Sequence, residues 1–191
     1  MRRLSLVLVL VLVPVLVAAA PASAEALSRR LLVDGDSLAV GTAHYLPREL
    51  GRWKVIQSTS VSRHAYEGAG VMRAFGRRLP RVIHISLGTN DDPRSVDAFR
   101  SAVRDVMAVA GPGRCVVWAN IVRPAVAGAS YAGYNRVLAQ ESRPRENLRV
   151  VNWARLARDN PHWFAGDGVH VSAEGYQVRA RAVARSVRRC R

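Results

Sequence analysis

Apolar and polar positions alternate along this chain in two distinct rhythms. Leu31–Asp34, Lys54–Ser58, Val82–Leu87, Cys115–Ile121 and Leu148–Trp153 are short runs with β-branched or apolar residues on both faces. Such runs read as strands covered on both faces. Segments of helix length lie between them, near Leu38–Leu50, Gly68–Leu79, Ser95–Ala110 and Tyr131–Arg143. A last helix is predicted from Ala173 to Arg189, with Ser172 placed to cap it. Strands separated by helices predict a five-stranded parallel sheet with right-handed crossovers, the middle of a three-layer α/β/α sandwich. Ligands of such sheets bind beyond the carboxyl ends of the strands.

The N-terminal run departs from both rhythms. Arg2 and Arg3 precede an apolar stretch from Leu4 to Ala20, broken by Pro14, and then Pro21-Ala22-Ser23-Ala24. A basic start, an apolar centre and small residues predict a secretory signal over residues 1–24, cleaved after Ala24. The alternative is an uncleaved membrane anchor, since the run borders on spanning length; either form faces outward. Residues 25–191 then form a single domain, 167 residues long, enough for one sizeable core.

Without Arg2 and Arg3 the formal charge falls from +15 to +13, and Lys54 is the only lysine. An arginine-rich surface favours anionic surroundings such as the cell envelope. Its arginines are dispersed rather than clustered, which is also what genome composition alone would produce. No nucleic-acid-binding signature accompanies them, so nucleic acid is not expected as a ligand. Cys115 and Cys190 are the two cysteines. In an exported chain an even count suggests a disulfide, with two unpaired thiols as the alternative.

Candidate chemistry clusters where the strands end. Asp34-Gly35-Asp36-Ser37 follows the first strand, Ser62-Arg63-His64 the second and Gly88-Thr89-Asn90-Asp91 the third, while Asp167-Gly168-Val169-His170 precedes the last helix. Ser37 is the candidate nucleophile, with a helix N-cap as its structural alternative. His170 is the candidate base and Asp167 its orienting carboxylate, the glycine between them permitting a tight turn. Asn90 offers a side-chain amide to an oxyanion, and its alternative is turn formation. Asp34-Gly35-Asp36 opens like a calcium loop but lacks the later ligands. His44, His64, His84 and His162 lack paired metal-ligand spacing, and no phosphate or dinucleotide loop is present. No metal or organic cofactor is expected.

With these motifs the mature chain resembles the SGNH/GDSL hydrolases over essentially its whole length. Gly35-Asp36-Ser37-Leu38 matches the family's first block, Gly88-Thr89-Asn90-Asp91 its third and Asp167-Gly168-Val169-His170 its fifth. The second block normally offers a glycine, and here the aligned position is Ser62, whose backbone N–H can still donate. The resemblance implies an SGNH, flavodoxin-like fold and a catalytic set of Ser37, Asp167 and His170. It also implies an oxyanion hole formed by Ser37, Ser62 and Asn90. The activity implied is that of a secreted serine esterase, lipase or deacetylase on a small ester or O-acylated glycan; a monomer is expected. An O-acyltransferase using the same acyl-enzyme, or a catalytically silent envelope-binding module, are the alternatives.

Overall fold

In β1 (Arg30–Gly35), Leu31 and Val33 pack into one apolar cluster and Leu32 into another, on opposite sides of the sheet. That period of two, with both faces apolar, is why the segment reads as a covered strand. The computed structural model describes residues 29–190, so the expected signal segment 1–24 lies outside the described residues. Four further strands pair in parallel: β2 (Lys54–Thr59), β3 (Val82–Ser86), β4 (Cys115–Ala119) and β5 (Leu148–Val151), in the order β2-β1-β3-β4-β5.

Helix α1 (Ser37–Leu50) and α6 (Ala173–Val187) cover one face, where Leu46, Leu50, Ala180, Val183 and Val187 meet Leu31, Val33 and Val117. On the other face lie α2 (Gly68–Phe75), α3 (Val96–Ala110) and α4 (Ala132–Ser142). Their Met72, Val103, Val106, Val137 and Leu138 pack with Leu32, Ile83, Ile85, Val116 and Trp118. Burying each such side chain stabilises by roughly 1.5–3 kcal/mol relative to exposure. Tertiary packing of these stripes therefore holds the helices more than intrinsic propensity does. The sandwich matches the expected three-layer architecture.

Several boundaries differ from the sequence reading. The fifth strand was expected to reach Trp153, yet it ends at Val151, and a short helix α5 (Trp153–Arg158) follows. The Asn152 side chain accepts the Arg155 backbone N–H and so starts that helix. Apolar Trp153 mimicked strand continuation because it is buried. β4 ends at Ala119 and not Ile121, and α2 gives way to a 3₁₀ turn at Gly76–Arg78. Ser172 caps α6 as expected, its hydroxyl accepting the Gly175 N–H.

Strand order reverses direction around β1: the chain leaves it for β2 on one side and returns to β3 on the other. The carboxyl end of β1, between these neighbours, is the crevice where ligands of open α/β sheets bind. Ser37 stands at that end.

Cys115, at the start of β4, is bonded to Cys190 just beyond α6, their Cα atoms 5.7 Å apart. A bridge spanning 75 positions removes about 4 kcal/mol of loop-closure freedom from the unfolded chain, in the entropic description. Cys115 opens its strand at the end opposite the crevice. Reduction should therefore lower the melting temperature by several degrees while changing turnover at moderate temperature little, as thermal denaturation and rate assays with and without reductant would measure.

Candidate active site

The Gly35-Asp36-Ser37 turn is tight because its residues crowd the next strand. A Cβ on Gly35 would sit 2.5 Å from the Ala39 Cβ and 2.6 Å from the Ser86 carbonyl oxygen, so only glycine fits. The Asp36 N–H donates to that same Ser86 carbonyl at 3.0 Å. The Asp36 side chain then caps α1, accepting the Leu38 N–H at 3.0 Å. Capping thus falls to Asp36, and the N-cap alternative for Ser37 does not hold. Ser37 is left with a free hydroxyl in the first helical turn.

That hydroxyl lies 2.8 Å from His170 Nε2, and His170 Nδ1 lies 2.5 Å from Asp167 Oδ2. Asp167 Oδ1 also accepts the N–H groups of Val169 and His170 at 3.0 and 2.9 Å. The turn between them depends on Gly168, at φ +66°. Hydrogen bonds from His170 and from these two backbone groups hold the Asp167 carboxyl down at about 2. An ionised carboxylate only accepts, so Nδ1 carries its proton and Nε2 is left to accept from Ser37. The loop is fixed at its base: Ala165 N–H donates to the His170 carbonyl at 2.7 Å and Ser172 N–H to that of Trp163 at 2.6 Å.

Because the Asp167 value is depressed below the ordinary 3.8, its contribution to stability is present above about pH 4. That contribution is lost as pH falls toward 2. Between pH 7 and 4 Asp167 stays charged, so an activity loss over that range must arise in another group. Asp167→Asn should lower kcat by up to about 10⁴-fold, since an amide supports the wrong tautomer. The decrease should be smaller than in His170→Ala, as steady-state kinetics of the two variants would measure.

Asn90 lines the same cleft as Ser37 and His170, a cavity of about 310 Å³, and its Nδ2 donates to the Arg63 carbonyl at 3.3 Å. Ser62 is exposed at the loop after β2 and has φ +62°. This left-handed backbone is one that glycine adopts freely and serine only at a cost, which fits a position where the resemblance implies glycine. Ser62 is not among the residues that line the cleft.

Two arginines that sequence reasoning did not place support these groups. Arg63 reaches back to the buried end of β1, donating to Asp34 Oδ1 at 2.7 Å and to the Ser58 carbonyl. Burial raises the Asp34 carboxyl to about 6 even with the guanidinium beside it. Arg179 of α6 is wholly buried under the Asp36 cap, donating to Thr42 Oγ1 at 2.7 Å and Ser86 Oγ at 3.0 Å. Its position was readable: Gly175, Arg179, Val183 and Val187 fall at four-residue spacing on one buried stripe. The arginine-rich helix hid it.

His64 pairs with Asp91 at 3.4 Å and stacks on Tyr66. It is not among the residues lining the Ser37 cleft, though its partner Asp91 adjoins Asn90, which is. His84 is buried in β3 against the Val117 carbonyl. Trp163 stacks on Trp153 beneath the loop, while Phe164 faces a neighbouring cavity. Among the described residues no group of three or more His, Cys, Asp or Glu side chains could hold a metal ion.

No protein-family model matches the sequence, and no curated protein matches it significantly. Solved structures do. The catalytic domain of Streptococcus pneumoniae peptidoglycan O-acetyltransferase A is 18% identical, with a TM-score of 0.66 over 85% of this chain and 92% of that one. A G-D-S-L family lipolytic protein from Veillonella parvula has a TM-score of 0.70 at 14% identity, covering 84% and 98%. The psychrotrophic esterase EstA from Pseudoalteromonas sp. has a TM-score of 0.63 at 15% identity, covering 84% and 97%. The chain has the fold of the SGNH/GDSL hydrolases.

Proposed function

We propose that this protein is a serine hydrolase of the SGNH/GDSL type that cleaves carboxylic esters through an acyl-enzyme on Ser37. The observation that carries the reading is the unbroken Ser37–His170–Asp167 hydrogen-bond chain at the carboxyl end of β1. As Ser37 Oγ attacks the ester carbonyl, its proton passes to His170 Nε2 and the carbonyl π electrons move onto oxygen. Asn90 Nδ2 and the N–H of Ser37 hold that oxyanion; Ser62, outside the residues lining the cleft, is not assigned a contact with it. Collapse expels the alcohol, which takes the proton from His170; water then repeats the sequence and frees the acid. Asp167 stabilises the imidazolium in both halves.

The His170 and Asp167 side chains are 44% and 49% exposed. So open a site suits small or surface-presented acyl groups better than long buried chains. Likeness to a peptidoglycan O-acetyltransferase domain favours one second reading, in which a glycan hydroxyl replaces water as acceptor. Export follows in this reading from the expected signal and the disulfide, and the net positive charge suits an anionic envelope. Incubating the purified protein with short-chain acyl esters and O-acetylated sugars, with and without sugar acceptors, tests both. Free acid alone supports hydrolysis; acylated acceptor in its place supports transfer. Neither product from any donor contradicts the proposal.

A further inference from the structure

A larger cavity, about 610 Å³, shares Arg123 with the cleft that holds Ser37, Asn90 and His170. Val122, Tyr131, Ala157 and Phe164 give it an apolar wall, and Arg158 stands at its side. Two guanidinium groups and no carboxylate line it. In a chain so rich in arginine one such neighbour means little by itself, but Arg123 is the one described residue that lines both this cavity and the Ser37 cleft. Arg63, Arg100, Arg104 and Arg145 each pair with a carboxylate. Arg123 is partly buried and has no carboxylate partner among the described residues. Its one side-chain hydrogen bond there is from Nη1 to the Thr89 carbonyl, at 2.5 Å. That carbonyl also accepts the Tyr131 hydroxyl at 3.1 Å, so it does not depend on the arginine. The guanidinium also lies over the Tyr131 ring, 6.0 Å from its centroid. That contact with its face leaves Nε and Nη2 without a hydrogen-bond partner among the described residues, and that fork matches a carboxylate.

We infer that the substrate is an ester bearing a carboxylate, which Arg123 selects while the apolar remainder occupies the larger cavity. This inference rests on the serine-hydrolase reading for its chemistry, though the binding site stands apart from it.

Two ester pairs distinguish where the anion sits. On the acyl side, 4-nitrophenyl hemisuccinate is compared with 4-nitrophenyl butyrate. On the alcohol side, 4-acetoxybenzoate is compared with its methyl ester. In one pair kcat/KM should favour the anionic ester by about tenfold or more, the scale of one charge-assisted hydrogen bond. Arg123→Gln should bring that ratio to about one, chiefly through KM, and Arg123→Lys should retain part of it. No anionic preference in either pair, or a preference that Arg123→Gln leaves intact, overturns the inference while hydrolysis of neutral esters upholds the enzyme. Calorimetry of 4-acetoxybenzoate and of succinate with Ser37→Ala protein reads binding without turnover. Binding that Arg123→Gln removes, in a protein that hydrolyses no ester, would instead keep the site and end the hydrolase reading.

Discussion

Ser37→Ala should lower ester turnover on the order of 10⁵-fold or more, and His170→Ala should lower it nearly as far. Nucleophile and base act as a unit, so either loss removes the acyl-enzyme route. Stability should barely move. Asp36, not Ser37, caps α1, and the Ser37 hydroxyl has its hydrogen bond to a half-exposed histidine. Alanine is also the better helix former in that first turn. The cost should stay within roughly 0.5 kcal/mol, a change of no more than about 1–2 °C in melting temperature for a domain of this size. Parallel kinetics and thermal denaturation of the three proteins measure both quantities. Activity lost together with the fold would assign Ser37 to structure instead.

The second large effect lies at Arg63. Removing its guanidinium leaves the wholly buried Asp34 carboxylate without its partner, a loss typically of about 3–5 kcal/mol. It also loosens the loop whose Arg63 carbonyl accepts the Asn90 amide. Arg63→Ala should therefore lower both stability and kcat. Asn90→Ala should lower kcat by about 10²–10³-fold with the fold intact. The sign with pH follows from Asp34, whose carboxyl is raised to about 6. Raised from 3.8, the buried carboxyl makes the native state less stable as pH rises toward 6. Attraction to Arg63 requires the ionised form, so it offsets part of that cost above about pH 6 and fades as pH falls through that value. Arg63→Ala should be more destabilised relative to wild type at pH 8 than at pH 5. Denaturant unfolding at the two pH values would measure this, and equal destabilisation at both would contradict the Asp34 pairing.

Strands were readable where side chains are apolar on both faces, as in Cys115–Ala119, because that pattern has few other uses in a domain of this size. Buried helix starts were not, and Trp153 looked like more strand because burial alone does not distinguish the two. Ser37, Asn90, Asp167 and His170 stood out because each sits beside a glycine or at a turn that must end a strand or begin a helix. The structure brings Ser37, Asn90, Asp167 and His170 to one cleft. Ser62 takes a left-handed backbone outside the residues lining that cleft. Arg63, Arg123 and Arg179 escaped notice for one physical reason. Their partners, Asp34, the Thr89 carbonyl and the Asp36 cap region, come from remote parts of the chain. Against a background of dispersed arginines, no local pattern distinguishes Arg63 or Arg123 from a solvated guanidinium; Arg179 was marked only by its place on the buried stripe of α6.

Covalent capture tests the central claim most directly. A fluorophosphonate mimics the attacked carbonyl and leaves a stable phosphonyl ester only on a serine activated by its neighbours. Intact mass spectrometry of the treated protein should show one adduct, and peptide mapping should place it on Ser37. His170→Ala should greatly slow its formation, and Ser37→Ala should abolish it. No adduct on folded protein, or an adduct on a serine other than Ser37, would contradict the account.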